Sequence, residues 1–381
     1  MEKECSEAVE KNSLDEKYTD WLIKYYVNKL LKEKVKTRKR ICYVQLNITN
    51  RCTENCEHCY LKMRNLPTTD ISTKKLWEIV DLMKMKAEQQ EKDLVIDLIG
   101  GDPLARTDII EIIKRLSQCG INYGIKGNAI LLSKYINLLV RYNVNRYQIS
   151  LDGLRSTHNF IRPKNNFETT ISAIRLLNAY NIPVNIKYTI SRRNEKDLWP
   201  LLYELYDYGV KISSFSVARY YDKNGDSYKM GRSYYDKAFE GLLNFYRMQI
   251  RNNDIRINLY LKEHLWIPYL LERNYIFKDF FQMVEEKPYL LSCSMISCDS
   301  VFVTSDGCFD VCPKVINFNK TQNYNEYVER KKEYLDEIKR YYCQGCKWKK
   351  FCLGCLAFRD GKDHECIFYS EKNTLLEGDI Y

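Results

Sequence analysis

Six short apolar segments alternate with helical segments between residues 43 and 218. Consecutive β-α units of this kind place their strands in one parallel sheet with helical crossovers. Six units are fewer than the eight that close a barrel, so we expect an α/β fold, a partial (β/α)6 TIM-like barrel open on one side. Functional residues of such sheets lie at the carboxyl ends of the strands. The expected strands cover 43–49, 93–100, 122–128, 147–153, 184–190 and 212–218, and the expected helices cover 73–91, 107–119, 132–141, 166–180 and 195–208.

The regions on either side of this alternation have a different character. Residues 15–35 have the spacing of an amphipathic helix, within an N-terminal helical segment that we expect to span 1–42. The barrel is expected to cover 43–225, followed by an aromatic-rich helical bridging segment, 226–290, and a cysteine-rich domain, 291–381. The stretch VFVTSDG in this last domain predicts a hairpin strand and its turn.

The 15 cysteines of this 381-residue chain indicate metal binding more than disulfide bonding. The N-terminus is charged, without the apolar stretch of a secretory signal, and no run of about 18 apolar residues predicts a transmembrane helix. We therefore expect a cytoplasmic protein with reduced thiols and no membrane partner. The net charge of +10 fits a lysine-rich surface or an anionic partner such as an acidic peptide. Because the basic residues are spread along the chain, nucleic acid is not the expected partner.

Cys52, Cys56 and Cys59 follow the first expected strand with the spacing C-x3-C-x2-C. Clustered thiolates suit zinc or an iron–sulfur cluster. Zinc needs a fourth ligand, and the local candidate, His58, is too tightly tethered between two cysteines to complete a tetrahedron comfortably. A four-iron, four-sulfur (4Fe-4S) cluster accepts three cysteines and leaves one iron open to an exogenous ligand. The spacing therefore favours iron–sulfur over zinc.

This cysteine motif, with the aromatic Tyr60 directly after it, resembles that of the radical S-adenosyl-L-methionine (SAM) superfamily. The resemblance implies that the amino and carboxylate groups of SAM chelate the open iron. One-electron reduction then cleaves the sulfonium to a 5′-deoxyadenosyl radical, which abstracts hydrogen from the substrate. The protein holds, orients and shields the reactants while the cofactor carries the chemistry. The resemblance assigns no catalytic acid or base.

Motifs at the ends of strands two to five resemble the SAM-contacting segments of the same superfamily. GGDP after the second strand resembles a Gly-Gly-Glu-Pro motif that binds the methionine amino group, and SLDG after the fourth resembles a segment that contacts the carboxylate and ribose. These residues also have interpretations without SAM. GGDP can be an ordinary Gly-Asp-Pro turn, Arg162 can be a surface charge, and Thr189 and Ile190 can be the end of an apolar strand. The SAM-binding residues that the resemblance implies are Gly100, Gly101, Asp102, Pro103, Asn128, Ser150, Asp152, Arg162, Thr189 and Ile190.

Nine further cysteines lie between residues 293 and 366. Four of them form the run C-x2-C-x5-C-x2-C, whereas zinc ribbons separate their two pairs more widely. The arrangement resembles the SPASM extension of some radical SAM enzymes, which carries two auxiliary 4Fe-4S clusters. Cys308 is left over as a free thiol, although it, Cys293 and Cys298 are all candidates to complete the first cluster. The resemblance assigns Cys293, Cys298, Cys312 and Cys355 to one cluster and Cys343, Cys346, Cys352 and Cys366 to the other.

SPASM proteins mostly modify peptides or proteins. The resemblance therefore implies an enzyme that crosslinks or otherwise modifies a ribosomally made peptide with an acidic leader, with flavodoxin or ferredoxin as external one-electron donor. Alternatives are a maturase that makes formylglycine in sulfatases, radical modification of a small molecule, and a non-catalytic iron–sulfur electron carrier. The maturases carry an Asp after the cysteine equivalent to Cys312, where this chain has Pro313 and Lys314.

Overall fold

The six expected strands form the centre of one parallel sheet. Our computed structural model describes residues 2–63, 65–162, 165–220, 232–260, 266–276, 293–296, 300–315 and 318–342. Its central strands are β1 (Ile41–Thr49), β2 (Asp93–Gly100), β3 (Asn122–Gly127), β4 (Arg146–Ser150), β5 (Val184–Ile190) and β6 (Ile212–Arg219). They pair in parallel in sequence order, which confirms the expected α/β fold with a parallel sheet.

The sheet extends beyond these six strands at both edges. β7 (Ile257–Leu259) pairs in parallel with β6, inside a segment that was expected to be helical. At the other edge β8 (Ser300–Val303) pairs in parallel with β1, and β9 (Phe309–Asp310) returns antiparallel to β8. The order of the described strands is β7-β6-β5-β4-β3-β2-β1-β8-β9. The β8–β9 pair is the hairpin predicted from VFVTSDG.

The helices of this α/β fold bury one apolar side each. In α4 the buried residues are Ile109, Ile112, Ile113 and Leu116, whose three- and four-residue spacing defines one helical face. The expected helix at 15–35 is part of a longer helix, α1. The helices are α1 (Glu2–Arg40), α2 (Tyr60–Met63), α3 (Thr73–Gln89), α4 (Ile109–Gln118), α5 (Leu132–Arg141), α6 (Arg155–Ile161), α7 (Asn166–Ala179), α8 (Leu198–Asp207), α9 (Arg232–Arg251), α10 (Trp266–Glu272) and α11 (Tyr324–Tyr342).

Alternation along the strands separates the apolar core from a polar inner face. In β5, Ile186 and Tyr188 are fully buried, whereas Asn185, Lys187 and Thr189 border open space. This is the two-residue period of side chains on a strand. The interior of a closed barrel is ordinarily packed with branched apolar side chains. The polar inner face of this sheet instead leaves room for a ligand.

The expected domain boundaries stay predictions, but strands from three of the four expected segments share this one sheet. α1 joins the same core through Ile23, Val27, Leu31 and Val35, which recur every four residues along it.

In the described part of the chain, no helix combines the length and apolar character needed to cross a bilayer.

Candidate active site

The cysteine loop that follows β1 borders a cavity, here called the upper cavity, at the carboxyl ends of the parallel strands. Cys52, Cys56 and Cys59 all line it. Cys56 is buried, Cys59 is half-buried and Cys52 is exposed. This is the edge at which a parallel α/β sheet carries its site. Of the predicted SAM-binding residues, Gly100, Gly101, Asn128, Ser150, Arg162 and Thr189 border the same cavity.

The other four predicted SAM-binding residues lie behind the cavity wall. Asp102 is fully buried, and burial raises its pKa to about 7. Pro103 follows at the start of a short 3-10 turn. Ile190 has no exposed surface, because strand alternation turns it away from Thr189 and into the core. Asp152 is buried in an ion-pair group beside the cysteine loop. None of these four residues borders the upper cavity.

Gly100 and Gly101 allow the cysteine loop to lie directly on the end of β2. A Cβ at Gly101 would stand 2.2 Å from the carbonyl oxygen of Arg51, and one at Gly100 would stand 1.9 Å from that of Thr49. The Gly101 N–H donates to the Thr49 oxygen (2.9 Å), and the Asp102 N–H donates to the Arg51 oxygen (2.8 Å). Gly100 also has a φ of +146°, which favours glycine. The two glycines thus position the loop that carries the cysteines.

We expect Gly101→Ala to displace the cysteine loop, because its Cβ would overlap the Arg51 carbonyl. Overpacking of this kind costs about 1–3 kcal/mol, and iron bound per chain after anaerobic reconstitution should fall clearly below the wild-type value. Chemical denaturation and an iron assay measure the two effects. Gly120→Ala is the control, since Gly120 has open space around it and a φ of +65°. It should cost about 1–2 kcal/mol of backbone strain and leave iron unchanged. Full iron loading of Gly101→Ala would contradict this account.

Nitrogen donors point at two of the three cysteine sulfur atoms. Cys52 Sγ accepts from the Glu54 backbone N–H (3.4 Å) and the Asn128 side-chain amide (3.7 Å). Cys56 Sγ accepts from Arg162 Nη1 (3.3 Å), and its thiol donates to Glu54 (3.1 Å). Although the Cys52 residue as a whole is exposed, the protein atoms around both sulfurs desolvate the thiols and raise their pKa, that of Cys52 to about 11, so thiolates here need the positive charge of a metal. Hydrogen bonds to sulfur are typical of iron–sulfur sites, and the donor set fits a cluster on this loop.

A buried group of charged side chains forms the wall beside the cysteine loop. Arg162 Nε donates to Asp152 (2.7 Å) and its Nη1 to Glu54 (3.2 Å). The side chains of Asp152 and Glu54 are at most 1% exposed, and that of Arg162 is 11% exposed. Burial alone would raise the pKa of Asp152, but the Arg162 charge holds that pKa below its usual value. The surface position that was the alternative for Arg162 is therefore wrong.

His58 belongs to this charged group. Its Nε2 lies 3.2 Å from Arg162 Nη2 and 3.5 Å from the Asp152 carboxylate, and its ring packs edge-on against Tyr220 at 6.2 Å. Burial lowers the pKa of His58 to about 4, so the ring is neutral near pH 7. Within the described ranges, no three or more His, Cys, Asp or Glu side chains are grouped to hold a metal ion. The described contacts of the His58 ring are with Arg162, Asp152 and Tyr220.

Asp152 also ties the ends of β4 and β5 together. Its Oδ1 accepts from the Thr189 N–H (2.7 Å). The Asn194 amide donates to the carbonyls of both Asp152 and Thr189 (2.9 Å each). The Asp152 N–H donates to His158 Nδ1 (3.0 Å), and burial lowers the pKa of His158 to about 3, which keeps this ring neutral. The strand ends that border the upper cavity are therefore fixed by buried hydrogen bonds.

Three cysteines of the second group lie within the described residues, and one of them, Cys312, directly precedes two residues that border the upper cavity. Cys293, Cys308 and Cys312 are each half-buried. Pro313 and Lys314, which follow Cys312, both border the upper cavity, and the Lys314 ammonium donates to the last carbonyl of β6 (3.3 Å). The remaining predicted ligands of the auxiliary clusters, Cys298, Cys343, Cys346, Cys352, Cys355 and Cys366, lie outside the described residues.

The sequence analysis missed several polar residues of the upper cavity. Gln45, Lys126, Gln148 and Lys187 border it from inner positions of β1, β3, β4 and β5, and Glu54 borders it from the cysteine loop. Polar residues at alternate positions of an otherwise apolar strand indicate an inner face. This alternation could have predicted the four strand residues as part of the inner face. Glu54 lies in a loop, where no such pattern exists.

Comparison with known families identifies this part of the chain. Residues 46–205 match the family model described as Radical SAM superfamily. The match contains the cysteine loop, the two glycines at the end of β2 and the buried Arg162 group. These residues form a radical SAM domain, and the family implies a 4Fe-4S cluster and SAM.

Curated relatives are similar to the chain over less than half of its length. An uncharacterized protein of Methanocaldococcus jannaschii is 31% identical over 183 residues, 46% of this chain and 62% of that protein. An AdoMet-dependent heme synthase of Methanosarcina barkeri is 29% identical over 155 residues, 40% of this chain and 43% of the synthase. A GTP 3′,8-cyclase of Lactiplantibacillus plantarum is 30% identical over 176 residues, 44% of this chain and 52% of the cyclase. The chain thus spans between 43% and 62% of these relatives.

Solved structures share the fold over a larger part of the chain. Native anSMEcpe with bound AdoMet and Kp18Cys peptide has a TM-score of 0.64 and 17% identity, covering 87% of this chain and 95% of that one. Streptococcus suis SuiB bound to precursor peptide SuiA has a TM-score of 0.63 and 16% identity, covering 88% of this chain and 78% of that one. At such identities the likeness shows the fold alone.

Proposed function

We propose that this protein is a radical SAM enzyme that reductively cleaves SAM and abstracts hydrogen from a peptide substrate. The observation that carries the proposal is the loop after β1, from which three cysteines border one cavity at the strand ends. The described residues that line this cavity include no fourth cysteine. A 4Fe-4S cluster held there would keep one iron open for SAM.

The proposed cofactor site uses the cysteine loop and the neighbouring strand ends. Cys52, Cys56 and Cys59 would hold the cluster, which when bound and reduced supplies the electron that splits SAM into methionine and a 5′-deoxyadenosyl radical. Asp102, Pro103, Asp152 and Ile190 would support SAM from behind the wall. The residues proposed to border SAM directly are Gly100, Gly101, Asn128, Ser150, Arg162 and Thr189.

The chain's own residues orient and shield this site. Donors from Asn128 and Arg162 reach the sulfur atoms of Cys52 and Cys56, so part of the negative charge on the sulfurs is balanced by fixed N–H groups. Asp152 holds the Arg162 guanidinium in place. The buried wall excludes water from the side where a reactive radical would form.

A peptide is the substrate class that we propose. The fold likeness to two peptide-bound enzymes covers 87% and 88% of this chain, well beyond the radical SAM domain at 46–205. On this basis we propose that the enzyme crosslinks or otherwise modifies a ribosomally made peptide. We also propose that the enzyme carries two SPASM-type auxiliary clusters and receives electrons from flavodoxin or ferredoxin.

A small molecule is the second candidate substrate. The curated relatives include a heme synthase and a GTP 3′,8-cyclase, neither of which is named for a peptide substrate. Their similarity is confined to 40% and 44% of this chain, which is why we place this candidate second.

We expect the anaerobically reconstituted protein to release 5′-deoxyadenosine from SAM when dithionite reduces it, as measured by chromatography. Addition of SAM should also change the EPR spectrum of the reduced protein, because SAM would become a ligand of the open iron. An iron–sulfur electron carrier would show neither effect. Zinc in place of iron, or spectra that SAM leaves unchanged, would refute the proposed function.

A further inference from the structure

The turn that joins β8 to β9 contacts the segment that leads into the cysteine loop. Asn50, two residues before Cys52, donates from its side-chain amide to the Ser305 hydroxyl in this turn (2.9 Å). The two residues are 255 positions apart in the chain, and each is only 9% exposed. The hairpin that carries Cys308 is therefore joined to the first cysteine motif by a buried hydrogen bond.

The Asn50 side chain has a partner for both its donor and its acceptor atom. Its amide nitrogen donates to the Ser305 hydroxyl and to the Pro67 carbonyl (2.8 Å). Its Oδ1 accepts from the Asn47 amide (3.0 Å). The Asn50 backbone N–H donates to the Thr69 carbonyl (2.8 Å). This network holds Asn50 in one position, because turning the side chain would leave buried polar groups unpaired.

Asn50 lies between the two backbone carbonyls that fix the end of β2. Its neighbours Thr49 and Arg51 accept the hydrogen bonds from that strand end. The Asn50 carbonyl oxygen would itself lie 2.9 Å from a Cβ built on Gly101. Gly101 borders the upper cavity, whereas Asn50 and Ser305 do not. A shift of Asn50 would therefore move backbone that packs directly against the cavity wall.

We propose that Ser305 is a positioning residue for SAM. Its hydroxyl fixes the Asn50 amide, and Asn50 in turn fixes the backbone against which Gly101 lies. The inference rests on the proposed function and adds the β8–β9 turn to the elements that form the SAM site. Loss of the hydroxyl would remove an acceptor from the buried Asn50 amide, so the segment would hold the SAM-binding conformation for a smaller fraction of the time.

Ser305→Ala should weaken SAM binding about tenfold at unchanged iron content, as is common for residues that support a ligand from behind. Equilibrium dialysis of radiolabelled SAM against the oxidised, iron-loaded protein measures the dissociation constant. The KM for SAM in 5′-deoxyadenosine release should rise by a similar factor, while kcat stays within about threefold. A role confined to stability would lower the melting temperature without changing the SAM affinity of iron-loaded protein. Ser305→Thr keeps a hydroxyl and should bind SAM within about threefold of the wild type.

Asp306→Asn is the matched control. Asp306 follows Ser305 in the same turn, but its carboxylate pairs with Lys320, and both of these side chains are exposed. This variant should keep the wild-type SAM affinity. An unchanged affinity in iron-loaded Ser305→Ala, or an equal loss in Asp306→Asn, would overturn the inference.

If Ser305→Ala does not load iron, Ser305→Thr decides, and a loss of SAM affinity beyond about threefold in that variant refutes the inference. Wild-type protein that cleaves SAM, with a Ser305→Ala variant that binds SAM equally well, refutes this inference alone. Wild-type protein that never cleaves SAM refutes the proposed function and this inference with it.

Discussion

Alanine in place of Cys52, Cys56 or Cys59 is expected to reduce 5′-deoxyadenosine release to the level seen without protein. Each substitution removes one of the three thiols that border the upper cavity, and the cofactor at this loop carries all of the radical chemistry. We expect a loss of at least about a thousandfold in rate, together with about four fewer iron atoms per chain. Product chromatography and iron and sulfide assays of the reconstituted protein measure both.

Cys119→Ala is the control for these three variants. Cys119 is exposed, lies just after the last residue of α4 and does not border the upper cavity. This variant should bind iron and cleave SAM as the wild type does. Should Cys56→Ala keep its full iron content and its SAM cleavage, the assignment of the reactive cluster to this loop would be wrong.

Arg162→Gln is expected to destabilise the protein by about 3–5 kcal/mol, because it removes the partner of buried carboxylates. Asp152 and Glu54, both pairing with Arg162, are at most 1% exposed. The same substitution removes a donor to the Cys56 sulfur, so SAM cleavage should also fall. Anaerobic denaturant unfolding, followed by circular dichroism, measures the stability.

A matched arginine at the start of α6 provides the comparison, because Arg162 directly follows the last residue of that helix. Arg155 of α6 pairs with Glu168, but the two side chains are 62% and 57% exposed. Arg155→Gln should cost less than about 1 kcal/mol, as exposed ion pairs usually do, and leave SAM cleavage unchanged. If the two variants lose equal amounts of stability, burial does not determine how much the ion pairs of Arg162 contribute to the free energy of unfolding.

The sequence predicted the fold where the signal is local. Each of the six central strands is an apolar run followed by a helix, and all six were found in place. β7 was missed because it has only three residues, Ile257–Leu259, and depends on pairing with β6. The strand at β8 was expected, but no local pattern indicates that Ser300–Val303 pairs with β1.

The same distinction holds at the site. The cysteines and glycines could be predicted because parallel strands bring their carboxyl ends to one edge. The partners of Arg162 could not all be predicted, since Glu54 is 108 positions away in the chain. The buried position of Ile190 could have been predicted, because the two-residue period of β5 places Ile190 and Thr189 on different faces of the sheet.

The pairing of β8 with β1 has a consequence for biosynthesis. β1 precedes the cysteine loop and is made early. Its neighbour β8 emerges from the ribosome only after the other described parallel strands. Until then the β8 side of β1 presents unpaired backbone N–H and C=O groups, which are a template for intermolecular aggregation. A nascent chain must therefore protect this edge of the sheet until its late strand arrives.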